Sequence, residues 1–246
     1  MMGKVLFMRK GETHTPPSVG ILASDLAVGS SVYLMENGSA VEYLVVNQGI
    51  PSDSNLYDAS CDGTWLLRKD VYENRQWHGS DVNDYANSTI HSYLNSTFLG
   101  LLGSVEQAVI KQVKVPYRAG SGSGITISSG VNGLSTKVFL LSLAEASYSL
   151  NSNEAPSGEG AELDYFAGCA DRAADSKRIA YLDGTAARWW LRSPYVAASG
   201  SVVYVYPMGS WDNNTASNQN TGIRPALILP NNALFDTETL ILKGVA

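Results

Sequence analysis

The residues of this chain that most often carry out chemistry are few and widely separated. The two cysteines, Cys61 and Cys169, stand in no metal-binding spacing, and neither do the three histidines, His14, His78 and His91. The chain also lacks a nucleophile elbow, a phosphate-binding loop and a metal triad. Paired carboxylates stay an open alternative, because none of the 23 acidic residues is singled out by its neighbours. These patterns favour a protein that is not an enzyme, and they predict no cofactor and no metal site.

Two arginines are more informative, because each lies in an apolar segment that is predicted to be a buried strand. Arg192 follows two tryptophans in the run WWLRSP, and Arg224 lies in the run GIRPAL. A buried guanidinium needs a carboxylate or several carbonyl oxygens to compensate for its lost hydration. We therefore interpret both side chains as structural clamps, with the binding of an anionic ligand as the alternative.

A polar segment, residues 195–221, separates these two strands and is rich in Tyr, Ser and Asn. Tyrosine offers a large contact area with a polar tip, and Asn and Ser offer adaptable hydrogen bonds. Within the segment, alternation places Val203 and Val205 on the inner face of a strand, whereas Tyr204 and Tyr206 are predicted to be exposed or half-exposed. We expect the ligand to bind here; ordinary packing of the tyrosines and a plain solvated loop are the alternatives.

The elements that must position this segment are predicted from periodicity and from turn and cap residues. The adjacent tryptophans, Trp189 and Trp190, face opposite sides of one strand, so that strand is expected to be central, with both faces covered. The Asn37-Gly38 pair predicts a tight turn between two strands. Further strands are expected at Thr64–Arg68, Val113–Tyr117 and Lys137–Leu141, helices at Ser88–Phe98, Ser104–Val113 and Ser142–Ser149, the last two from capping-box patterns, and a helical turn at Asp175–Leu182.

Composition limits the classes to which the protein belongs. With 246 residues, of which 44% are hydrophobic and 16% charged, the chain is long enough to bury a sizeable core in one large domain. The formal net charge of −6 and the lack of a Lys/Arg cluster give no reason to expect nucleic acid as a partner. No run approaches the ~18 apolar residues of a membrane span, so no membrane insertion is expected. Because the N-terminus lacks a signal-peptide pattern, we expect a protein that is cytoplasmic when made, with two free thiols.

Four motifs carry a resemblance to a known family. The runs WWLRSP and GIRPAL, with VFLLSLAEA and STIHSYLNSTFLGLLGSVEQAVI upstream, resemble a family of uncharacterised domains common in bacteria and their phages. That family is similar in pattern to the C-type-lectin fold, and to its formylglycine-generating-enzyme type as used by the variable proteins of diversity-generating retroelements. The resemblance covers Val28–Leu229 and implies an α+β, C-type-lectin-like fold with small antiparallel sheets, two to three helices and long irregular loops. It implies a ligand-binding domain over residues 28–246, with a variable-type segment at 188–229, after an N-terminal arm or attachment segment at 1–27.

In such variable proteins, the diversified side chains of a C-terminal segment form the ligand-binding site. Most of the matching positions here hold residues that adenine mutagenesis of an Asn codon produces. Met208, Trp211 and Gln219 are not produced that way, so we interpret them as framework. The ligand-binding residues that the resemblance implies are Tyr195, Ala197, Ala198, Ser199, Ser201, Tyr204, Tyr206, Asp212, Asn213, Asn214, Thr215, Ser217, Asn218 and Asn220.

The function that the resemblance implies is that of a ligand- or receptor-binding protein, phage tail-associated or a surface adhesin, which displays a diversified site. Its expected partners are a host-surface protein or glycan receptor and, through the N-terminal region, other tail or particle proteins; homo-oligomerisation stays open. The expected place of action is a virion or particle surface. The alternatives are a structural particle protein and an enzyme of the formylglycine-generating type, for which Cys61 and Cys169 are the only candidate copper ligands. Calcium binding by Asp212 and its Asn neighbours also stays open.

Overall fold

The computed structural model describes residues 20–53, 55–123, 126–148, 155–156, 158–169 and 173–246. Within them the strands are β1 Gly20–Leu22, β2 Ser31–Glu36, β3 Ser39–Gln48, β4 Thr64–Arg68, β5 Val113–Val115, β6 Tyr117–Arg118, β7 Ile127–Ser128, β8 Leu134–Thr136, β9 Val138–Phe139, β10 Ala180–Leu182, β11 Thr185–Ala187, β12 Trp189–Pro194, β13 Ser201–Val205, β14 Trp211–Thr215, β15 Ala226–Leu229, β16 Ala233–Asp236 and β17 Leu242–Val245. The helices are α1 Thr89–Tyr93, α2 Leu99–Leu101 and α3 Ser104–Val109, with a π-helical segment at Leu94–Phe98. Single turns of 3-10 helix lie at Ala23–Asp25, Ala59–Cys61, Asp164–Phe166 and Ser176–Arg178.

The largest sheet has five antiparallel strands in the order β2-β3-β4-β15-β9. β2 and β3 form the predicted hairpin, whose turn residues Asn37 and Gly38 have φ angles of 49° and 77°. Both values lie in the left-handed region that Asn and Gly adopt at low cost, so the turn prediction is confirmed. β15 begins two residues after Arg224, lies between β4 and β9, and is buried along its whole length.

The predicted polar segment belongs to a second antiparallel sheet, with the order β12-β13-β14. β12 carries the two tryptophans and pairs Trp189 with Val205 and Trp190 with Tyr204. On the other side of β12, the backbone of Trp190 donates to the carbonyl of Gly222 at 2.9 Å. This bond ties the second sheet to the chain just before β15. β14 is the edge strand of the sheet and carries four polar residues in succession.

Two hydrophobic cores lie on opposite faces of these sheets. Leu66 of β4 belongs to one core, and its neighbours Trp65 and Leu67 belong to the other. In the same way Trp190 packs into the first core and Trp189 into the second. All five side chains are fully buried. The prediction that the tryptophan strand has both faces covered is therefore confirmed, because each face meets its own core. The prediction that it is a central strand is wrong, because β12 lies at the end of its three-stranded sheet.

The N-terminal part of the described chain joins this fold. β1 pairs with β16, which pairs with β17, and Ala23 is fully buried. Residues 20–27 of the expected arm therefore contact the C-terminal strands, while residues 1–19 lie outside the described residues. Within the part of the chain that the structure describes, no helix is both long and apolar enough to cross a membrane.

The expected fold class, α+β with a C-type-lectin-like arrangement of two to three helices, is wrong. Among the described residues strands hold 36% and helical segments 14%, so the molecule is sheet-rich. In these residues only the stretch 89–101, where α1, the π-helical segment and α2 follow one another, is a helix of more than two turns. It starts where the sequence predicted, since Ser88 caps it by accepting a hydrogen bond from the backbone of His91.

The second predicted helix is shorter than the expected Ser104–Val113. α3 ends at Val109, its N-cap residue is Gly103, and no side chain caps it. The carboxylate of Glu106 accepts a hydrogen bond from the backbone of Met35 at 2.9 Å. An acidic residue of the first turn therefore binds the neighbouring hairpin rather than the end of its own helix.

The third predicted helix does not form in the described residues, although its capping motif does. Ser142 and Glu145 exchange the two side chain–backbone hydrogen bonds of a capping box, at 3.1 and 2.9 Å. Residues 143–147 nevertheless form turns, and the predicted last residue, Ser149, lies outside the described residues. Glu145 also binds Arg192, so a correctly recognised local motif here serves a tertiary contact.

Candidate ligand-binding surface

The Tyr204 side chain is buried, which corrects the predicted exposure of the tyrosine face of β13. Only 3% of the residue is accessible, and its ring packs edge-on against Trp190 with centroids 6.0 Å apart. Its hydroxyl donates to Oδ2 of Asp212 at 3.3 Å, and burial, followed by the charge of Asp212, raises the pKa of Tyr204 to about 12. Alternation within β13 did not reveal that a core covers this face too. Tyr204 is therefore part of the framework.

A cavity of about 300 Å³ lies beside Arg188, at the end of β13. The guanidinium of Arg188 lies 5.4 Å from the ring centre of Tyr204 and 5.3 Å from that of the half-buried Tyr206. Cation–π contacts of this kind hold a guanidinium in place without using its hydrogen-bond donors. The cavity lining includes Arg188, Asn74, Pro207 and Asn220. It therefore offers a ligand a positive charge together with amide donors and acceptors.

A second cavity, of about 360 Å³, shares Asn74 with the first and is lined also by Arg75, Gln76 and Gln219. Arg75 is held on two sides: its guanidinium lies 3.6 Å from the ring centre of Tyr93, and its Nε donates to Glu73 at 2.7 Å. The lining is rich in amides, so this cavity extends the polar character of the first.

Exposed polar side chains lie on β14 and on the turn that follows it, where Asn220 lines the first cavity and Gln219 the second. Asp212, Thr215 and Asn220 are exposed and Asn213 is half-buried, whereas Tyr204 and Val203, the partners of Asp212 and Asn213 in β13, are buried. The side chains of Asn213, Thr215 and Asn220 make no hydrogen bond within the described part of the protein, where these residues form hydrogen bonds through their backbone groups. Their donors and acceptors are therefore available to a ligand.

Asp81 joins the two loops that flank β14. Its Oδ1 accepts hydrogen bonds from the backbone and the hydroxyl of Ser217, at 3.2 and 2.6 Å. The backbone of Gly200 approaches the same residue so closely that a Cβ there would lie 2.8 Å from the Cβ of Asp81. Residues 195–200 and 216–220 thus lie together beside β14, and we call β14 with these two loops the polar surface.

The predicted ligand-binding residues differ in how far they reach solvent. Asn218 contributes to its own turn, since its Oδ1 accepts from the backbone of Asn220 at 2.9 Å. Of the three residues interpreted as framework, Met208 and Gln219 are exposed, whereas Trp211 packs partly into the second core. The exposed members of the predicted set are Ala197, Ser199, Asp212, Thr215 and Asn220; the half-buried members are Tyr195, Ala198, Ser201, Tyr206, Asn213, Asn214, Ser217 and Asn218; the buried member is Tyr204.

Four residues outside the predicted set lie at the polar surface or its cavities: Asn74, Arg75, Asp81 and Arg188. The backbone of Arg75 donates a hydrogen bond to the carbonyl of Thr221 at 3.0 Å, which places Arg75 beside the second cavity. No local sequence pattern predicts this pairing. For Arg188 a signal was available, because period-two alternation places it on the same face as Trp190.

Arg192 has the partners that a structural clamp needs. Its two terminal nitrogens donate to the two carboxylate oxygens of Glu145 at 2.6 and 2.7 Å, and both side chains are fully buried. Further hydrogen bonds reach the carbonyls of Pro116, Leu140 and Glu159 at 2.8 to 3.0 Å. The cluster compensates the buried guanidinium and holds β12, the strand that pairs with β13, in place.

The cysteines and histidines that the structure describes occupy structural positions. Both cysteines are free; Cys61 is buried, and burial raises its pKa to about 12. His78 accepts a backbone hydrogen bond from the start of α1 at 3.1 Å, and burial lowers the pKa of His91. His14 lies outside the described residues. Among those residues, no group of three or more His, Cys, Asp or Glu side chains is placed to hold a metal ion.

Comparison with protein-family models gives one match to this chain. A family model described as a domain of unknown function, DUF6273, matches residues 62–231, a region that contains β4, β15 and the whole polar surface. No curated protein and no solved structure matches the chain. The resemblance to retroelement variable proteins therefore stays a prediction. Because the family model covers more than half of its length, this chain belongs to the DUF6273 family.

Proposed function

We propose that this protein is a ligand-binding protein and that its ligand contacts the polar surface. One observation carries the proposal: Asn213, Thr215 and Asn220 present side chains without internal hydrogen bonds beside β13, which is buried from Val202 to Val205. Polar groups held on a rigid support lose little conformational entropy when they bind, which favours recognition.

The shape of the site favours a large ligand. The polar surface is an edge strand with two loops, and the cavities beside it add the Arg188 and Arg75 guanidinium groups at fixed positions. Binding sites for small molecules are concave and mostly apolar. Sites that bind proteins or glycans are broader and combine polar with aromatic side chains. The proposal assigns no catalytic role to the surface.

The resemblance supports a more specific form of the proposal, in which the ligand is a host-surface protein or glycan and the protein acts on a virion or particle. Attachment to other tail or particle proteins would then use the N-terminal region. A genomic observation tests the diversified form: a near-copy of the DNA encoding residues 195–224, differing at adenines and lying beside a reverse transcriptase, is expected. A genome without such a copy would contradict diversification and leave a binding site of fixed specificity.

Binding itself is tested with purified protein on a glycan array and on intact bacterial cells. The variant Asn213→Ala/Thr215→Ala/Asn220→Ala removes exposed or half-exposed side chains without breaking an internal hydrogen bond. We expect binding to weaken about tenfold or more, because a few central contacts carry most of the binding energy. The melting temperature is expected to stay near that of the wild type.

The matched control changes three exposed polar residues of the turns before and after β16, Asn231→Ala/Thr237→Ala/Glu238→Ala, whose side chains form no hydrogen bond in the described part of the protein. It is expected to bind as the wild type does. Equal loss in both triple variants would place the binding site elsewhere. A wild-type protein that binds no glycan and no cell would favour a structural role.

A further inference from the structure

A third cavity, of about 220 Å³, shares no lining residue with the two cavities beside the polar surface. It lies between the end of β4, the 3-10 turns at Asp164–Phe166 and Ser176–Arg178, and β10. Its lining combines three cationic side chains, Arg224, Lys69 and Lys177, with the rings of Tyr165 and Tyr181. The volume is below the ~300–1,000 Å³ of typical ligand sites, so an occupant would be small.

Arg224 is the unusual member of this lining, because it is buried without a counter-ion. Only 1% of the residue is accessible, and among the described residues it forms no ion pair within 4 Å. Its Nε donates to the carbonyl of Arg68 at 2.9 Å, and its guanidinium lies 4.9 Å from the ring centre of Trp189. Its Nη1 has no hydrogen-bond partner in the described part of the protein.

This arrangement is costly for the protein alone. The Nη1 group of this buried guanidinium has lost its hydration without gaining an acceptor in the described part of the protein. Burial lowers the pKa of Arg224 to about 10, although the charges of Tyr165 and Asp70 oppose the shift. An oxygen anion in the cavity would supply the missing acceptor through a charge-assisted hydrogen bond. The guanidinium of Arg224, whose residue lines the cavity, is held in place by its contact with the ring of Trp189.

The charges around the cavity indicate which anion fits. Asp70 also lines it, and Lys69 is paired with Glu42 at 2.8 Å, so two carboxylates stand against three cations. The remaining single positive charge matches a carboxylate better than a doubly charged phosphate. The tyrosine rings, with Leu44 and Ile179, supply an apolar wall for the body of such a ligand.

We propose that this cavity is a binding site for a small carboxylate with an apolar, planar body, whose carboxylate binds Arg224 and whose body lies between Tyr165 and Tyr181. Lys177, which is exposed at the rim and donates to the carbonyl of Ala167 at 3.2 Å, adds electrostatic attraction. The site is independent of the polar surface and of the ligand that binds there.

Benzoate is the probe for this proposal, with the full chain followed by titration calorimetry and thermal unfolding. Benzoate is expected to bind with a stoichiometry of one and to raise the melting temperature, whereas its neutral isostere benzamide is not. Arg224→Met is expected to weaken binding about tenfold or more, as the loss of a charge-assisted hydrogen bond implies. Lys177→Glu reverses a charge at the exposed rim and is expected to weaken binding severalfold, which keeps the test decisive even where Arg224→Met does not fold.

The control is Lys243→Glu, the same charge reversal at an exposed lysine whose partner is Asp236, outside the cavity lining. It is expected to bind benzoate as the wild type does. A wild-type protein that does not bind benzoate, or that binds benzamide equally well, overturns the proposal. So does equal weakening by Lys177→Glu and Lys243→Glu, and inorganic phosphate binding more tightly than benzoate overturns the assignment to a carboxylate.

Discussion

Arg192 and Arg224 are both fully enclosed arginines that flank the polar segment in the chain, yet their surroundings differ. Arg192 binds both carboxylate oxygens of Glu145 and three carbonyl groups. Burial acts to lower its pKa, but the charge of Glu145 and the hydrogen bonds to it raise the pKa overall. Arg224 binds one carbonyl group and one tryptophan ring, and burial lowers its pKa to about 10. Arg192 has a partner for each of its side-chain nitrogens. Arg224 lines a cavity, and its Nη1 has no hydrogen-bond partner in the described part of the protein.

The difference shows that burial of a charge does not by itself reveal its purpose. Glu145 lies 47 residues before Arg192 in the chain and reaches it only because the turn at 143–147 packs beside β12. No described carboxylate is brought equally close to Arg224. A saturated arginine stabilises a fold, whereas an unsaturated one at a cavity is a candidate for binding.

The largest expected effect comes from breaking the saturated cluster. Arg192→Met leaves Glu145 buried without its cation, and removing one half of a buried ion pair costs about 3–5 kcal/mol. The free energy of unfolding, measured in urea by tryptophan fluorescence, is expected to fall by that amount. Arg75→Met, at a half-exposed pair with Glu73, is the control and is expected to lose about 1 kcal/mol or less. Equal losses in the two variants would contradict the buried role of Arg192.

The second largest effect concerns Glu159, which lies within this cluster. Burial raises its pKa from 4.5 to about 7, although the charge of Arg192 opposes the shift. A carboxyl group whose pKa is raised on folding favours the folded state at low pH and loses that contribution as pH rises through 7. Between pH 4.5 and 7 the wild type is expected to lose up to about 3 kcal/mol of unfolding free energy relative to Glu159→Gln. Parallel pH profiles for the two proteins would contradict the shift.

A smaller effect is expected for Arg224→Met on stability. The change removes one hydrogen bond to Arg68, worth about 0.5–1.5 kcal/mol, but also removes an unpaired buried charge. The free energy of unfolding in urea is therefore expected to fall by no more than about 1.5 kcal/mol. A loss as large as that of Arg192→Met would show that Arg224 is a clamp of the same kind, and the comparison between the two arginines would fail.

The smallest effect is expected at the exposed edge of the Arg224 cavity. Lys69 pairs with Glu42, but 47% of its side chain is accessible, so water and salt screen the interaction. Lys69→Gln is expected to change the free energy of unfolding by about 1 kcal/mol or less, and the change should shrink further in high salt. A larger, salt-independent loss would mean that Lys69 supports the cavity structurally.

Several elements were predictable because their signals are local. The Asn37-Gly38 turn, the start of the helix at Ser88 and the covering of both faces of the tryptophan strand all follow from residues within one turn or one strand. A local signal was misread at Asp183-Gly184, which was interpreted as the end of a helical turn. These two residues have positive φ angles of 51° and 78° and form the turn that joins β10 to β11. Residues after the 3-10 turn at Ser176–Arg178 form a hairpin there, rather than continuing the predicted helical turn.

The candidate site was predictable only in part. Composition located the polar residues around β14, but it did not predict that they form a strand. Alternation predicted Tyr204 to be exposed or half-exposed, whereas a core covers its side chain. Asp81 and Arg75 were missed because they reach the polar surface by pairing with residues more than a hundred positions away. Sequence alternation describes which side chains share a face of a strand; it does not say what packs against that face.

The sequence by itself determined the hairpin turn, the paired faces of the tryptophan strand, the polar character of residues 195–221 and the need of each buried arginine for compensation. Only the tertiary structure decided that the chain is sheet-rich, that Glu145 serves Arg192 rather than a helix, and that Arg224 faces a cavity. The physical reason is the range of the interactions. Turn, cap and alternation signals depend on neighbours in the chain, whereas counter-ions, covering layers and cavities depend on which distant segments pack together.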